Sequence, residues 1–222
     1  MGLLHSVFLT TLQMLSDREY IVPRLDYSLP DFVNDFCEYD ETIRAYVPVR
    51  ERMTLSLIHK VDRNKNMRVF FYGPPMTKVG KPELQKLLAN IGEDRVRALF
   101  VFSNGITMTP PAKKLIREMN RDSPYVMIEA FSESELVVNI TRHGKQDRVY
   151  SIYFGGADMN KLPMGSALTL DDPVARYFGL KRGEILKCVS SSECGGRLVR
   201  FRRSLYAEEI DRKPLPRLGR DT

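Results

Sequence analysis

Cysteine and histidine are scarce, with only three of each in 222 residues. Cys37, Cys188 and Cys194 are odd in number and show no metal-ligand spacing. That argues against a disulfide-framed scaffold and for a reduced, intracellular protein. Cys188 and Cys194 flank a predicted hairpin turn, where lone thiols read as packing residues rather than a redox pair. His5, His59 and His143 lie far apart, and none falls in a zinc-type spacing. His59 follows an apolar strand and reads as a strand-end surface residue. No apolar stretch approaches the length of a membrane span. The start of the chain lacks the basic residues and small-residue cleavage site of a signal peptide. It does match the loose myristoylation pattern at Gly2, yet Leu4, Val7, Phe8, Thr11, Leu12 and Leu15 recur at helical spacing. The first turns therefore read as the buried face of a helix.

Glycine-rich phosphate loops are missing too. Phe154-Gly155-Gly156 has neither the further glycines nor the following helix that such a loop needs. The apolar runs Val69–Tyr72 and Ala98–Phe102 contain no carboxylate. Asp62, Glu83 and Glu129 are scattered, and Glu129, within a predicted strand, reads as a surface residue. A metal-dependent nuclease needs converging carboxylates, so that chemistry is disfavoured, and no cofactor or metal is expected.

Charge is present but unevenly spread. Residues 1–141 carry 18 basic and 18 acidic side chains, the last 81 residues 16 and 10, so the whole net charge of +6 lies in the C-terminal part. Such asymmetry points to two modules with different partners.

The pattern alternates between helix and strand. After the first helix, 31–36 reads as a short helix capped by Ser28 or entered after Pro30. Strands are predicted at 53–58 and 67–72, a helix over 81–91, and a doubly buried strand at 98–102. Thr109-Pro110-Pro111 opens another helix, with Ala112, Leu115, Ile116 and Met119 on its apolar face and Lys114, Arg117 and Arg121 at i, i+3, i+7. Strands follow at 125–128 and 136–140. This alternation specifies an α/β sheet with some parallel pairs. Beyond it come a strand at 149–154, a hairpin of 184–189 with 197–202, and a Pro- and Gly-bearing arm from 206 to 222.

The most informative run is Asp172-Pro173-Val174-Ala175-Arg176-Tyr177-Phe178-Gly179-Leu180-Lys181-Arg182-Gly183. It has an N-cap, a proline at the first helical position, one turn of helix and a glycine stop. Lys181-Arg182-Gly183 then reads as a turn into the next strand. A helix this short cannot stand alone, so its aromatic pair must pack against something.

This run resembles the signature of the assembly domain in the fifth small subunit shared by eukaryotic RNA polymerases, a domain similar to one of the small archaeal polymerase subunits. Further matches run in order through the N-terminal half: Asp17–Tyr20, Phe70–Tyr72 to Gly80, Arg97–Val101, Met108–Lys113 and Glu135–Thr141. The resemblance implies an α/β jaw domain over 1–141, with an endonuclease-like sheet flanked by helices. It also implies a small α+β assembly domain over 142–205, before the flexible tail 206–222. A non-catalytic polymerase subunit is implied, present at one copy per complex in the nucleus, or in the nucleolus if restricted to polymerase I. Its implied partners are the largest subunit, neighbouring small subunits and downstream double-stranded DNA, with no membrane.

The implied DNA-proximal residues are Thr109, Pro110, Lys113, Lys114 and Arg117. Pro110 and Pro111 remove two helix N-terminal donors, so contact there relies on charge and shape. For the subunit interface the implied residues are Asp172, Pro173, Arg176, Tyr177, Phe178, Gly179, Lys181, Arg182, Arg197 and Arg200, with Tyr177 and Phe178 as anchors. The hairpin arginines could equally guard a solvated strand edge. The chain departs from the family pattern at 142–161, at the Ser190–Gly196 turn and in its tail, which suggests a version specialised for one polymerase class. Two rivals remain: a stand-alone basic nucleic-acid-binding protein using 197–203 and the tail, and a divergent nuclease.

Overall fold

The computed structural model describes residues 2–89, 91, 97–123, 125–142, 149–153, 165–191 and 196–211. The chain divides into two compact units, Met1–Val138 and Asn139–Thr222. The first opens with helix α1 (Gly2–Asp17), strand β1 (Tyr20–Ile21), helix α2 (Leu29–Phe36) and a hairpin of β2 (Cys37–Asp40) and β3 (Ala45–Pro48). Strands β4 (Leu55–His59), β5 (Met67–Tyr72) and β6 (Lys78–Val79) lead into helix α3 (Lys81–Ala89). Then come β7 (Arg97–Phe102), β8 (Thr107–Met108), helix α4 (Pro110–Asp122), β9 (Met127–Ser132) and the single turn α5 (Glu133–Leu136).

Five strands form one mixed sheet in the order β1-β4-β5-β7-β9. β1, β4 and β5 pair antiparallel, whereas β5, β7 and β9 run parallel. Each parallel pair needs a crossover, and α3 and α4 supply the two. Strand β7 lies between β5 and β9, which explains why Ala98–Phe102 is continuously apolar: no residue of that run is more than 4% exposed. On one face Ala98, Phe100 and Phe102 pack with Leu84 and Leu88 of α3 and Ala112 of α4. On the other, α1 buries Leu4, Val7, Phe8, Leu12 and Leu15, the stripe its spacing predicts. Phe8 links α1 to its neighbours, with ring centroids 4.9 Å from Phe36 and 5.8 Å from Phe71.

Helix α2 is capped by the Ser28 hydroxyl, which accepts from the Asp31 amide. One expected strand is absent: residues 136–140 do not extend. Ser132 and Glu135 form a reciprocal capping box, so the chain turns into α5. A 3-10 turn, Ile140–Arg142, follows. Leu136 ends α5 and is only 2% exposed, whereas Val138, in the bend that follows, is 65% exposed.

The second unit holds β10 (Val149–Tyr153), β11 (Leu168–Thr169), helix α6 (Pro173–Phe178), β12 (Ile185–Ser191), β13 (Arg197–Leu205) and the short helix α7 (Ala207–Asp211). Its sheet has the order β10-β12-β13-β11. The predicted strand at 149–154 and the predicted hairpin are both present, with β10, β12 and β13 antiparallel. β11 joins parallel to β13, Leu168 opposite Ser204. The arm expected from residue 206 starts instead as α7, because Glu209 accepts from the Tyr206 amide and pairs with Arg182. His143, the Phe154-Gly155-Gly156 run, Cys194, the middle of the 190–196 turn and residues 212–222 lie outside the described residues.

Candidate functional site

The Thr-Pro helix start is held by a small two-stranded ladder of the first unit, separate from the five-stranded sheet. β6 and β8 form a short parallel ladder, Lys78 opposite Thr107 and Val79 opposite Met108. The Thr109 amide donates to the Val79 carbonyl at 3.0 Å. Thr109 itself is the N-cap of α4, its hydroxyl accepting from the Ala112 amide. Pro110 and Pro111 occupy the first two helical positions and offer no N–H, as read from the sequence. Ala112 is fully buried, and Leu115, Ile116 and Met119 are packed against the core beneath. Pro110, Lys113, Lys114 and Arg117 are therefore on the outside and exposed, with Thr109 half-buried. Lys114 lies 3.7 Å from Glu118, an i, i+4 pair. The structure thus brings the five predicted DNA-proximal residues onto one helix start.

The Asp172–Gly183 segment has every feature read from it. Asp172 Oδ1 accepts from the Val174 amide at 2.8 Å, and Pro173 takes the first turn. Gly179 adopts the left-handed conformation, φ 59° and ψ 41°. Its amide donates to the Arg176 carbonyl and that of Leu180 to the Ala175 carbonyl, both at 3.0 Å, the paired bonds of a Schellman stop. Gly183 has φ 88°. It closes the turn on β13, with its amide 2.8 Å from the Ser204 carbonyl. Glu184 fastens the other side, its carboxylate accepting from the Lys181 amide at 2.7 Å. Sequence reasoning missed Glu184 and Ser204, which lie 20 residues apart and meet only in the fold.

Tyr177 and Phe178 are placed differently from the anchors expected of them. They are 3% and 5% exposed, buried by this chain itself. Their rings meet nearly edge-on at 5.2 Å, and the Tyr177 hydroxyl accepts from the Asn139 side-chain amide at 3.0 Å. The partner that a one-turn helix needs is supplied by this chain. Of the remaining predicted interface residues, Asp172, Arg176, Gly179 and Lys181 are half-buried, and Pro173, Arg182, Arg197 and Arg200 are exposed. The basic residues do not form one patch. Arg182 sits at the base of the β12–β13 hairpin, bidentate on Glu209. Arg197 pairs in register with Ser191 toward the far end, on the order of 20 Å away by strand rise.

Carboxylates in the first unit perform separate local tasks. Asp62 accepts from the Asn64 amide at 2.9 Å, capping a turn. Glu83 accepts from the Gly80 amide at 2.9 Å ahead of α3. Glu129 is not a surface residue: it forms a two-bond ion pair with Arg18, whose side chain is 3% exposed. His59 is half-buried, its Nδ1 accepting from the Val61 and Asp62 amides at 3.3 and 3.2 Å. Burial, and then the Lys65 charge, lower its pKa, against the pull of Glu19. Among the described residues no three histidine, cysteine, aspartate or glutamate side chains cluster as metal ligands would. No described helix is long and apolar enough to cross a membrane.

What the geometry builds is a pair of braced display surfaces, a basic helix start in one unit and a capped helix with its turn in the other. Comparison with known proteins gives that arrangement a family. The model of the RNA polymerase Rpb5 N-terminal domain matches residues 3–91, and that of the RNA polymerase Rpb5 C-terminal domain matches 157–203. A Dictyostelium discoideum protein, "DNA-directed RNA polymerases I, II, and III subunit rpabc1", is 33% identical over 204 residues, 87% of this chain and 92% of its own length. Its Caenorhabditis briggsae counterpart is 35% identical over 205 residues, 87% of this chain and 91% of its own. An Arabidopsis thaliana protein, "DNA-directed RNA polymerase subunit 5-like protein 1", is 31% identical over 192 residues, 80% and 84% of the two chains. The chain belongs to the Rpb5 family of RNA polymerase subunits, a non-catalytic family.

Proposed function

We propose that this protein is the fifth, non-catalytic subunit of a nuclear DNA-dependent RNA polymerase, present at one copy per complex. The observation that carries the reading is the Asp172–Glu184 segment, built with both glycines in the left-handed region, in a chain whose two halves match both domains of the family. In this reading the second unit anchors the subunit to the largest polymerase subunit. Lys181, Arg197 and Arg200 meet acidic groups there and set partner choice more than affinity. Asp172, Pro173, Arg176 and Gly179 hold the shape of that surface, with Tyr177 and Phe178 supporting it from within.

The first unit lies beside downstream double-stranded DNA through the start of α4. With two prolines in place of donors, Lys113, Lys114 and Arg117 act by charge alone. The contact is weak, sequence-independent and salt-sensitive, as suits a template in motion. Neighbouring small subunits complete the contacts, and the complex works in the nucleus, or the nucleolus if polymerase I alone is served. The departures at 142–161, 190–196 and the tail favour a version specialised for one polymerase class.

Affinity purification of the tagged chain with quantitative mass spectrometry tests this. The expected result is the largest subunit and its companions at one copy each. Recovery as a free monomer, absent from every polymerase, overturns it. Equal occupancy in all three purified polymerases overturns the specialised version alone. The rival basic nucleic-acid binder predicts submicromolar DNA binding by the isolated chain, lost on truncation at Ser204.

A further inference from the structure

Arg182 belongs to the turn of the family signature, yet a carboxylate of this chain already holds it. Its Nε donates to both oxygens of Glu209, at 2.8 and 3.0 Å, and its Nη2 adds a further bond to Oε1. Glu209 comes from α7, which lies beyond residue 203, where the match to the family's C-terminal domain ends. The backbone around both partners is fixed. The Lys181 amide donates to Glu184, the Lys181 carbonyl accepts from the Ser204 hydroxyl, and the Gly183 amide donates to the Ser204 carbonyl. Just before α7, the Leu170 amide donates to the Leu205 carbonyl at 3.0 Å. Arg182 and the start of α7 are thus kept close whether or not the pair is made, so the effective concentration of the Glu209 carboxylate is high.

The helix itself is lightly held. It has five residues, too few to stand as a helix alone. Ala207 and Glu208 are exposed, and Glu209 and Ile210 half-buried, so among its described side chains none is buried. Glu209 also accepts from the Tyr206 amide at 3.0 Å. One carboxylate therefore both starts the helix and ties it to Arg182. That tie is open to water, with the Arg182 and Glu209 side chains 60% and 30% exposed. An ion pair so exposed is worth little, and another carboxylate can take its place at small cost. Three of the five residues of α7 are acidic and none is basic. To a turn bearing Lys181 and Arg182, the helix presents the same chemistry that an acidic docking partner would.

We infer that α7 is a built-in competitor at the docking surface: Glu209 occupies Arg182 until a carboxylate of the polymerase displaces it. The chain then docks only where that exchange is favourable, which filters its partners. This rests on the polymerase reading and adds Arg182, with its internal rival, to the proposed interface. The test is a competition in one cell between the full wild-type chain and its Glu209→Gln variant, under different tags and at equal levels. Glutamine can still accept from the Tyr206 amide but brings no charge to Arg182. Mass spectrometry of the purified polymerase reads the share of each chain. The variant should be enriched roughly two- to fivefold, the worth of one exposed ion pair, with its thermal midpoint unchanged. In an Arg182→Gln background the same change should make no difference. Equal shares overturn the inference and leave the polymerase reading standing. So does enrichment of the wild type, which would make Glu209 part of the docking contact, or an enrichment that persists without Arg182. Absence of both chains from every polymerase overturns the polymerase reading and the inference with it.

Discussion

Asn139 donates its side-chain amide to the Tyr177 hydroxyl at 3.0 Å, joining the first residue of the second unit to the helix of the family signature. Both residues are buried, so the bond is worth about 1 kcal/mol. Tyr177→Phe should lower stability by roughly that amount while co-purification with polymerase persists. Tyr177→Ala removes the ring as well and should cost about 3–5 kcal/mol. Urea unfolding beside affinity recovery separates the two roles. Recovery lost in Tyr177→Phe at unchanged stability would mean that the hydroxyl meets a partner, contrary to its place inside the unit.

The Arg18–Glu129 pair closes over the sheet of the first unit. Neither side chain is well exposed, at 3% and 13%, so removing one partner strands a buried charge. Arg18→Met alone should cost about 3–5 kcal/mol. The double variant Arg18→Met/Glu129→Leu should recover much of that, since no charge is left unpaired. A double-mutant cycle read by thermal unfolding decides it: additive losses would show that the pair does not act as a unit.

That pair also marks the limit of what the sequence can say. Its members stand 111 residues apart, and neither neighbourhood hints at the other. By contrast, Asp172, Pro173, Gly179 and Gly183 each act through the local backbone, so helix, stop and turn were all legible in order. Ala98–Phe102 was legible because burial on both faces leaves no room for a polar residue. The strand expected at 136–140 failed because its apolar residues carry no period. The overriding signal, Ser132 with Glu135 three residues on, was there to be found. Helix α7 had only half of that signal, Glu209 accepting from the Tyr206 amide, with no Ser or Thr at the cap and a charged, proline-bearing sequence after it. Tyr177 and Phe178 were recognised as needing partners. Which partner they take is a fact of tertiary packing, and Asn139, 38 positions before Tyr177, provides part of the answer.

Gly183 has open space where a side chain would begin, so any cost of replacing it comes from its φ of 88° alone. Gly183→Ala should therefore destabilise the second unit by about 1–2 kcal/mol. Gly105→Ala, also in open space but without a positive φ, is the control and should change little. Denaturant midpoints of the two variants give the comparison. Equal midpoints would remove the conformational reason for glycine at 183.

His59 makes stability depend on pH in a definite direction. Its folded pKa lies below the ordinary 6.5, chiefly through burial, and a proton on Nδ1 would displace the two amide donors it accepts. Between the lowered folded value and 6.5 the unfolded chain holds more protons than the native one. Stability must then rise with pH through that window and level off above it. The lowered carboxylates Asp31, Asp40 and Asp62 act on the acid side, below 3.8. His59→Asn should flatten the slope just below pH 6.5. An identical slope in the variant would assign the dependence to other groups.

The outer face of α4 gives the DNA proposal its sharpest consequence. Lys113 and Arg117 project from a helix whose cap and apolar face are fixed independently of them. Replacing both with alanine should shift stability by less than about 0.5 kcal/mol. In the assembled polymerase, each phosphate contact they make contributes about 0.9 to the slope of log affinity against log salt. The double variant should accordingly lower that slope by up to about 2 and weaken DNA retention equally on unrelated sequences. Lys114→Ala should do less than Lys113→Ala, because Glu118 already draws on its charge at 3.7 Å. A salt slope unchanged in the double variant would take α4 away from the DNA while leaving the proposed docking of the second unit untested by that result.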